Sequence, residues 1–107
     1  MAAFEEKYGY VPATYAFQTY DAALLIDSAV KAVGGDLSDK AALRAGMEKA
    51  DFTSLRGKFA FNTNHYPIQD FFLVEVAKRA DGKFQTEVVE TVFEDYADTY
   101  ASECDMD

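Results

Sequence analysis

The hydrophobic period of the chain changes once, at about residue 52. Before that point apolar residues recur at helical spacing, and after it they alternate, so the chain spells helices first and strands second. A run of helices followed by a run of strands is the α+β order, because strands that follow one another closely pair as antiparallel neighbours without helical crossovers.

The first half divides into three helices. Residues 2 to 8 (AAFEEKY) read as a short helix closed by Gly9, which can take the left-handed turn after a last helical residue. Pro12 presets a first helical turn, and from Ala13 to Val33 no Gly or Pro interrupts an Ala-, Leu- and Ile-rich helix. Its apolar residues, among them Phe17, Tyr20, Leu24, Ile26, Val30 and Val33, cover more than one stripe, which predicts burial over a wide arc. Gly34 and Gly35 stop it. Ser38 is the expected N-cap of a third helix with Asp39 in its first turn, running to about Ala50 with Leu43 and Met47 inward.

In the second half, Phe59 and Phe61 alternate with Lys58 and Ala60, the pattern of a strand with one covered face. NTNHYP makes a polar turn. Residues 70–78 and 83–93 are β-rich runs separated by Asp81-Gly82, a strong hairpin signal, and predict an antiparallel pair. The last fourteen residues hold six acids and no base; Tyr96 and Tyr100, four apart, predict a short helix before a frayed acidic end.

Composition excludes several classes. Sixteen Phe and Tyr residues in 107, half of them apolar overall, argue against disorder, and the length suits one domain with a modest core. A net charge of −9 with scattered bases argues against nucleic acid as a partner. No run is long and apolar enough to span a bilayer, and residues 1–10 lack a signal peptide's layout. The single cysteine, Cys104, can form neither an internal disulfide nor a multi-cysteine metal site.

Catalytic constellations are scarce, so no enzyme, metal or cofactor is expected. His65 stands alone among turn-forming residues, and the acids flanking Cys104, Glu103 and Asp105, oppose thiolate formation. Glu5/Glu6 and Glu94/Asp95 are sequence neighbours expected at the surface rather than facing dyads. The start of the long helix says more: Tyr15, Gln18, Thr19 and Ala22 share one face, offering a ring, an amide and a hydroxyl at a helix end that favours anions. Such a face lines a ligand cleft or, for Tyr15, packs into the core.

The order KYGYVP, Y-A-x-Q-x-Y-D-A-A, GGDLSDKAALRAGM and FTSLRGKFAFNTNHYPIQDFF resembles the C-terminal third of the substrate-binding proteins of ABC importers, in the branched-chain amino acid (Leu/Ile/Val) group. The resemblance covers nearly the whole chain. It implies an α/β fold, with residues 1–107 a single partial domain of a bilobed type I periplasmic binding protein that closes on a small ligand and delivers it to an ABC permease. The ligand would be a branched-chain or other hydrophobic amino acid or a small aromatic carboxylate. The aromatic that approaches the ligand in the family matches Tyr15, and Gln18 lies one turn on. Such a parent would be periplasmic.

The resemblance also implies that the first two-thirds of such a protein is absent, so these residues would be a proteolytic product, a truncated form or a short reading frame, with Cys104 then expected to pair with a cysteine outside them. Left alone, the faces of Phe59, Phe61, Phe72 and Val74 would be uncovered, which predicts a homo-oligomer. Two readings compete with solute binding: a stand-alone α+β interaction module acting as a homodimer, and a small enzyme using His65.

Overall fold

The computed structural model describes residues 2–104 and 106. Three helices, α1 (Ala2–Tyr8), α2 (Thr14–Ala32) and α3 (Lys40–Lys49), precede three strands, β1 (Phe59–Phe61), β2 (Pro67–Lys78) and β3 (Phe84–Tyr96), and a 3-10 turn at Ala101–Glu103. The strands form one antiparallel sheet in sequence order. Helices followed by an antiparallel sheet is the architecture expected from the change of period.

Boundaries differ where side chains compete with pattern. Asp39, not Ser38, caps α3: its Oδ1 accepts the Ala42 N–H at 3.0 Å, while the Ser38 N–H donates to Asp36. The helix ends one residue early because Ala50 takes a left-handed conformation (φ 49°). Both long strands extend beyond the expected runs. Tyr96 belongs to β3 rather than to a helix, because its ring packs edge-on against Phe71 across the strand pair, 5.5 Å between centroids, and also meets Phe93. Asp95 next to it has φ 47°, and its N–H is taken up by the Asp70 carboxylate at 2.9 Å, so the irregular pairing there leaves that donor satisfied. Asp105 and Asp107 of the acidic end lie outside the described residues.

The expected core is largely missing. Among the described residues the buried apolar side chains are those of Pro12, Ala29 and Ala50. The accessible surface is 8004 Å², against roughly 6,000 Å² for a compact domain of this mass. The radius of gyration is 17.0 Å, where about 13 Å is usual. Helix α2 is not buried over a wide arc, since Tyr20 and Ile26 are exposed and α3 is the one helix packed on it. Phe59 and Phe61, in contrast, are half-buried and cluster with Phe52. Phe72 and Val74 are exposed as expected, together with Val76, Phe84 and Val88 on the hairpin.

The closest helix packing is at Gly46. A Cβ there would stand 3.2 Å from the Ala29 Cα and 3.3 Å from its carbonyl oxygen, so α2 and α3 approach backbone to backbone. Gly46→Val should therefore push the helices apart and cost about 1–3 kcal/mol, read as a lower urea midpoint with an unchanged slope.

Candidate functional site

The start of α2 is held from one side and open on the other. Asp21, 3% exposed, stands directly before the apolar run of residues 22–26. Its Oδ2 accepts the Ser54 hydroxyl at 2.6 Å and the Arg56 Nε–H at 3.1 Å, and its Oδ1 accepts the Leu55 N–H at 2.9 Å. Arg56 continues the chain of bonds by donating to Gln69 Oε1 on β2 at 3.0 Å. Burial alone would raise the Asp21 pKa, but the Leu55 amide, the Ser54 hydroxyl and the Arg56 guanidinium together hold it below its ordinary 3.8.

Pinning Asp21 fixes the rotation of α2. Tyr15, six residues earlier, stands roughly 120° around the helix, and Tyr15, Gln18, Thr19, Ala22 and Ile26 are all exposed along one face. Tyr15 is 78% exposed, which removes it from the core. Its carbonyl accepts the Thr19 hydroxyl at 2.8 Å, inside the same face. The N-cap is Ala13, whose side chain cannot cap, and no acid stands in the first turn, so no side chain caps the positive end of α2, although the Ala16 N–H donates to the Ala13 carbonyl at 2.9 Å. Beside it opens a cavity of about 320 Å³ between Pro12, Ala13 and Thr14 and the hairpin residues Val76 and Phe84. Tyr15 and Gln18 are brought together on the exposed face; neither lines this cavity.

The other expected residues do different work. His65 occupies the 62–66 turn with φ 61°, its Nε2 3.4 Å from a Glu48 oxygen. Cys104 is free and exposed. Glu5 is not a free surface acid: Arg79 and Lys83 each bind it at 2.7 Å, tying α1 to the hairpin turn and lowering its pKa. Among the described residues no three His, Cys, Asp or Glu side chains gather in an arrangement that could hold a metal, and no helix is long and apolar enough to cross a membrane. Asp21, Ser54 and Arg56 were not singled out from the sequence, although a carboxylate directly before the apolar run of residues 22–26 was the available signal.

Comparison with known proteins gives two matches of different kinds. A family model described as periplasmic binding protein matches residues 1–83. A crystal structure of the solute-binding protein of an ABC transporter from R. palustris, in complex with benzoate, is similar to this chain at 37% identity with a TM-score of 0.77. The similarity covers 92% of this chain and 26% of that one, so the chain spans about a quarter of that relative's length. No curated protein sequence matches. Both matches are to binding proteins rather than enzymes, and they do not favour a stand-alone interaction module.

Asp21→Ala should destabilise the fold by about 3 kcal/mol, because Arg56, Ser54 and the Leu55 amide lose a buried acceptor. The depressed pKa adds a pH signature. The stabilisation is complete above the ordinary value of 3.8 and is lost as the pH falls through the lower folded value. Asp21→Asn should flatten that acid limb in pH-dependent denaturation curves.

Proposed function

The chain belongs to the periplasmic binding protein family, and from that membership we propose that it supplies one wall of the ligand cleft in the solute-binding component of an ABC-type importer. The observation that carries the proposal is the exposed face of α2 that begins at Tyr15. A ring 78% open to solvent at an uncapped helix start is placed to cover an apolar ligand body while the amide donors meet a carboxylate. Gln18, on the same face, adds an amide. Binding proceeds by burial and hydrogen bonding with no bond made or broken, and the whole protein acts in the periplasm, passing its ligand to the permease.

Within the ligand classes that suit this face, a small aromatic carboxylate is preferred over a branched-chain amino acid. The R. palustris relative, 37% identical, was crystallised with benzoate, and a flat ring stacks on Tyr15 better than a branched aliphatic chain does. The remaining three-quarters of such a protein would contribute the opposite wall and cover the hairpin's apolar face. Deprived of that cover, the 107 residues self-associate through the same face.

Calorimetry tests the ligand reading on a complete binding protein made by exchanging these residues for the matched quarter of the R. palustris protein. Tyr15→Ala should weaken benzoate binding by about 1–3 kcal/mol, and Gln18→Ala by about 1 kcal/mol. Unchanged affinity in both variants would remove this face from the cleft, and tighter binding of leucine than of benzoate would overturn the ligand class. Sedimentation of the isolated chain at tens of micromolar, order of magnitude, should give a dimer or larger species, and a clean monomer would refute self-association.

A further inference from the structure

A second concavity lies at the other end of the sheet, where the 62–66 turn meets the segment after β3. Four aromatic side chains, Tyr66, Phe71, Tyr96 and Tyr100, and two acids, Asp98 and Glu103, surround a space of about 610 Å³. Its described lining contains no Lys, Arg or His. Most of it, Tyr96 onward, also lies beyond the residues 1–83 that match the family model, and it is separate from the Tyr15 face of α2.

The walls are set by internal bonds. Asn64, 6% exposed, donates from Nδ2 to Asp98 Oδ2 at 2.8 Å and accepts the Tyr66 N–H on Oδ1 at 3.2 Å. One buried amide thus fixes both a carboxylate and a ring-bearing backbone at the rim. The other Asp98 oxygen accepts the Tyr100 N–H at 3.0 Å, which holds the third wall. Phe71 and Tyr96 meet at 86°, so one ring presents its face where the other presents its edge. Tyr66 and Tyr100 are 64% and 68% exposed, their surfaces turned to solvent rather than consumed by packing.

Ring faces are negative and carboxylates more so, and in this cavity no described basic group offsets them. An anion is disfavoured, and a neutral apolar ligand gains nothing from the charge of the two carboxylates. A weakly hydrated cation with an apolar surface satisfies both, since it loses little hydration on entry and gains from ring quadrupoles and carboxylate charge together. We propose that this cavity binds a small organic cation of the quaternary ammonium class, independently of the ligand at the Tyr15 face. Asn64 is a positioning residue in the site, and Tyr66, Tyr96 and Tyr100 carry the ring contacts.

The test is a proton NMR titration of the 107-residue chain with choline, following the tyrosine ring resonances. Choline should shift the rings of Tyr66, Tyr96 and Tyr100 and leave Tyr15 unmoved. The neutral isostere, in which a tert-butyl group replaces the trimethylammonium, should bind about tenfold more weakly. Tyr100→Phe, which keeps the ring, should bind choline as the parent chain does, and Tyr100→Leu should lose about tenfold. Equal binding of the isostere, loss in Tyr100→Phe equal to that in Tyr100→Leu, or no choline shift at these rings overturns the proposal. So does a lysine-containing peptide that shifts the same rings where choline does not, because the cavity would then belong to a protein partner. None of these outcomes bears on benzoate binding at Tyr15, so the two readings stand or fall separately.

Discussion

The carboxylate of Asp21 is what makes one structure out of a helical half and a β half. Apolar packing between the halves is slight: α2 packs on α3, α3 touches the short β1, and among the described residues no helix backbone packs closely on the long hairpin. The route from α2 to the sheet runs instead from Asp21 to Ser54 and Arg56 and on to Gln69 of β2. A second polar tie, Glu5 to Arg79 and Lys83, joins α1 to the hairpin turn. Bonds of this kind are directional, so they set orientation as well as distance. Their net worth depends on every partner being present, because a buried carboxylate with an unmatched lone pair costs more than an absent one. Consistent with that, no buried side-chain polar atom among the described residues lacks a hydrogen-bond partner.

How much of this was legible in the sequence depends on how local the cause was. The helices of residues 2–49 and the hairpin over Asp81-Gly82 follow from period, Gly and Pro, which act within a few residues of themselves. Ser38 and Asp39 are both capable caps, and only the path of the backbone into Lys40 chooses Asp39. Tyr96 and Tyr100 have helical spacing, yet Tyr96 finds Phe71 twenty-five residues back in sequence, and a cross-strand partner outweighs a weak local preference. Glu5 reads as a surface acid because its partners, Arg79 and Lys83, lie more than seventy residues away. The family motifs drew attention to Tyr15 and Gln18, while Asp21 within the same motif is the residue that decides where those two point.

The largest departure from expectation is the absence of a filled core, and its cause is visible in the pattern itself. Alternating strands read as having one covered face, and the sequence supplies that face at Phe72, Val74, Val76 and Val88. What alternation cannot encode is whether the same 107 residues also supply the cover. Here they do not, and the surface exceeds that of a compact chain of equal mass by roughly 2,000 Å². At about 25 cal/mol per Å² of apolar area, such an excess is large beside the marginal stability of any domain. The R. palustris relative is about four times as long, and the similarity takes in 92% of this chain.

A weak core and a well-tied α2 are therefore consistent with each other. A helix buried all round is fixed by its neighbours and has no face to give to a ligand. A helix fixed by one buried carboxylate leaves much of its remaining circumference free, and Tyr15, Gln18, Thr19 and Ala22 lie exposed there. Apolar packing could hold α2 only by covering more of it, whereas three hydrogen bonds on Asp21 hold its rotation while covering a single turn. The residue that anchors the proposed wall and the residues that face the proposed ligand thus sit on one helix, about a third of a turn apart.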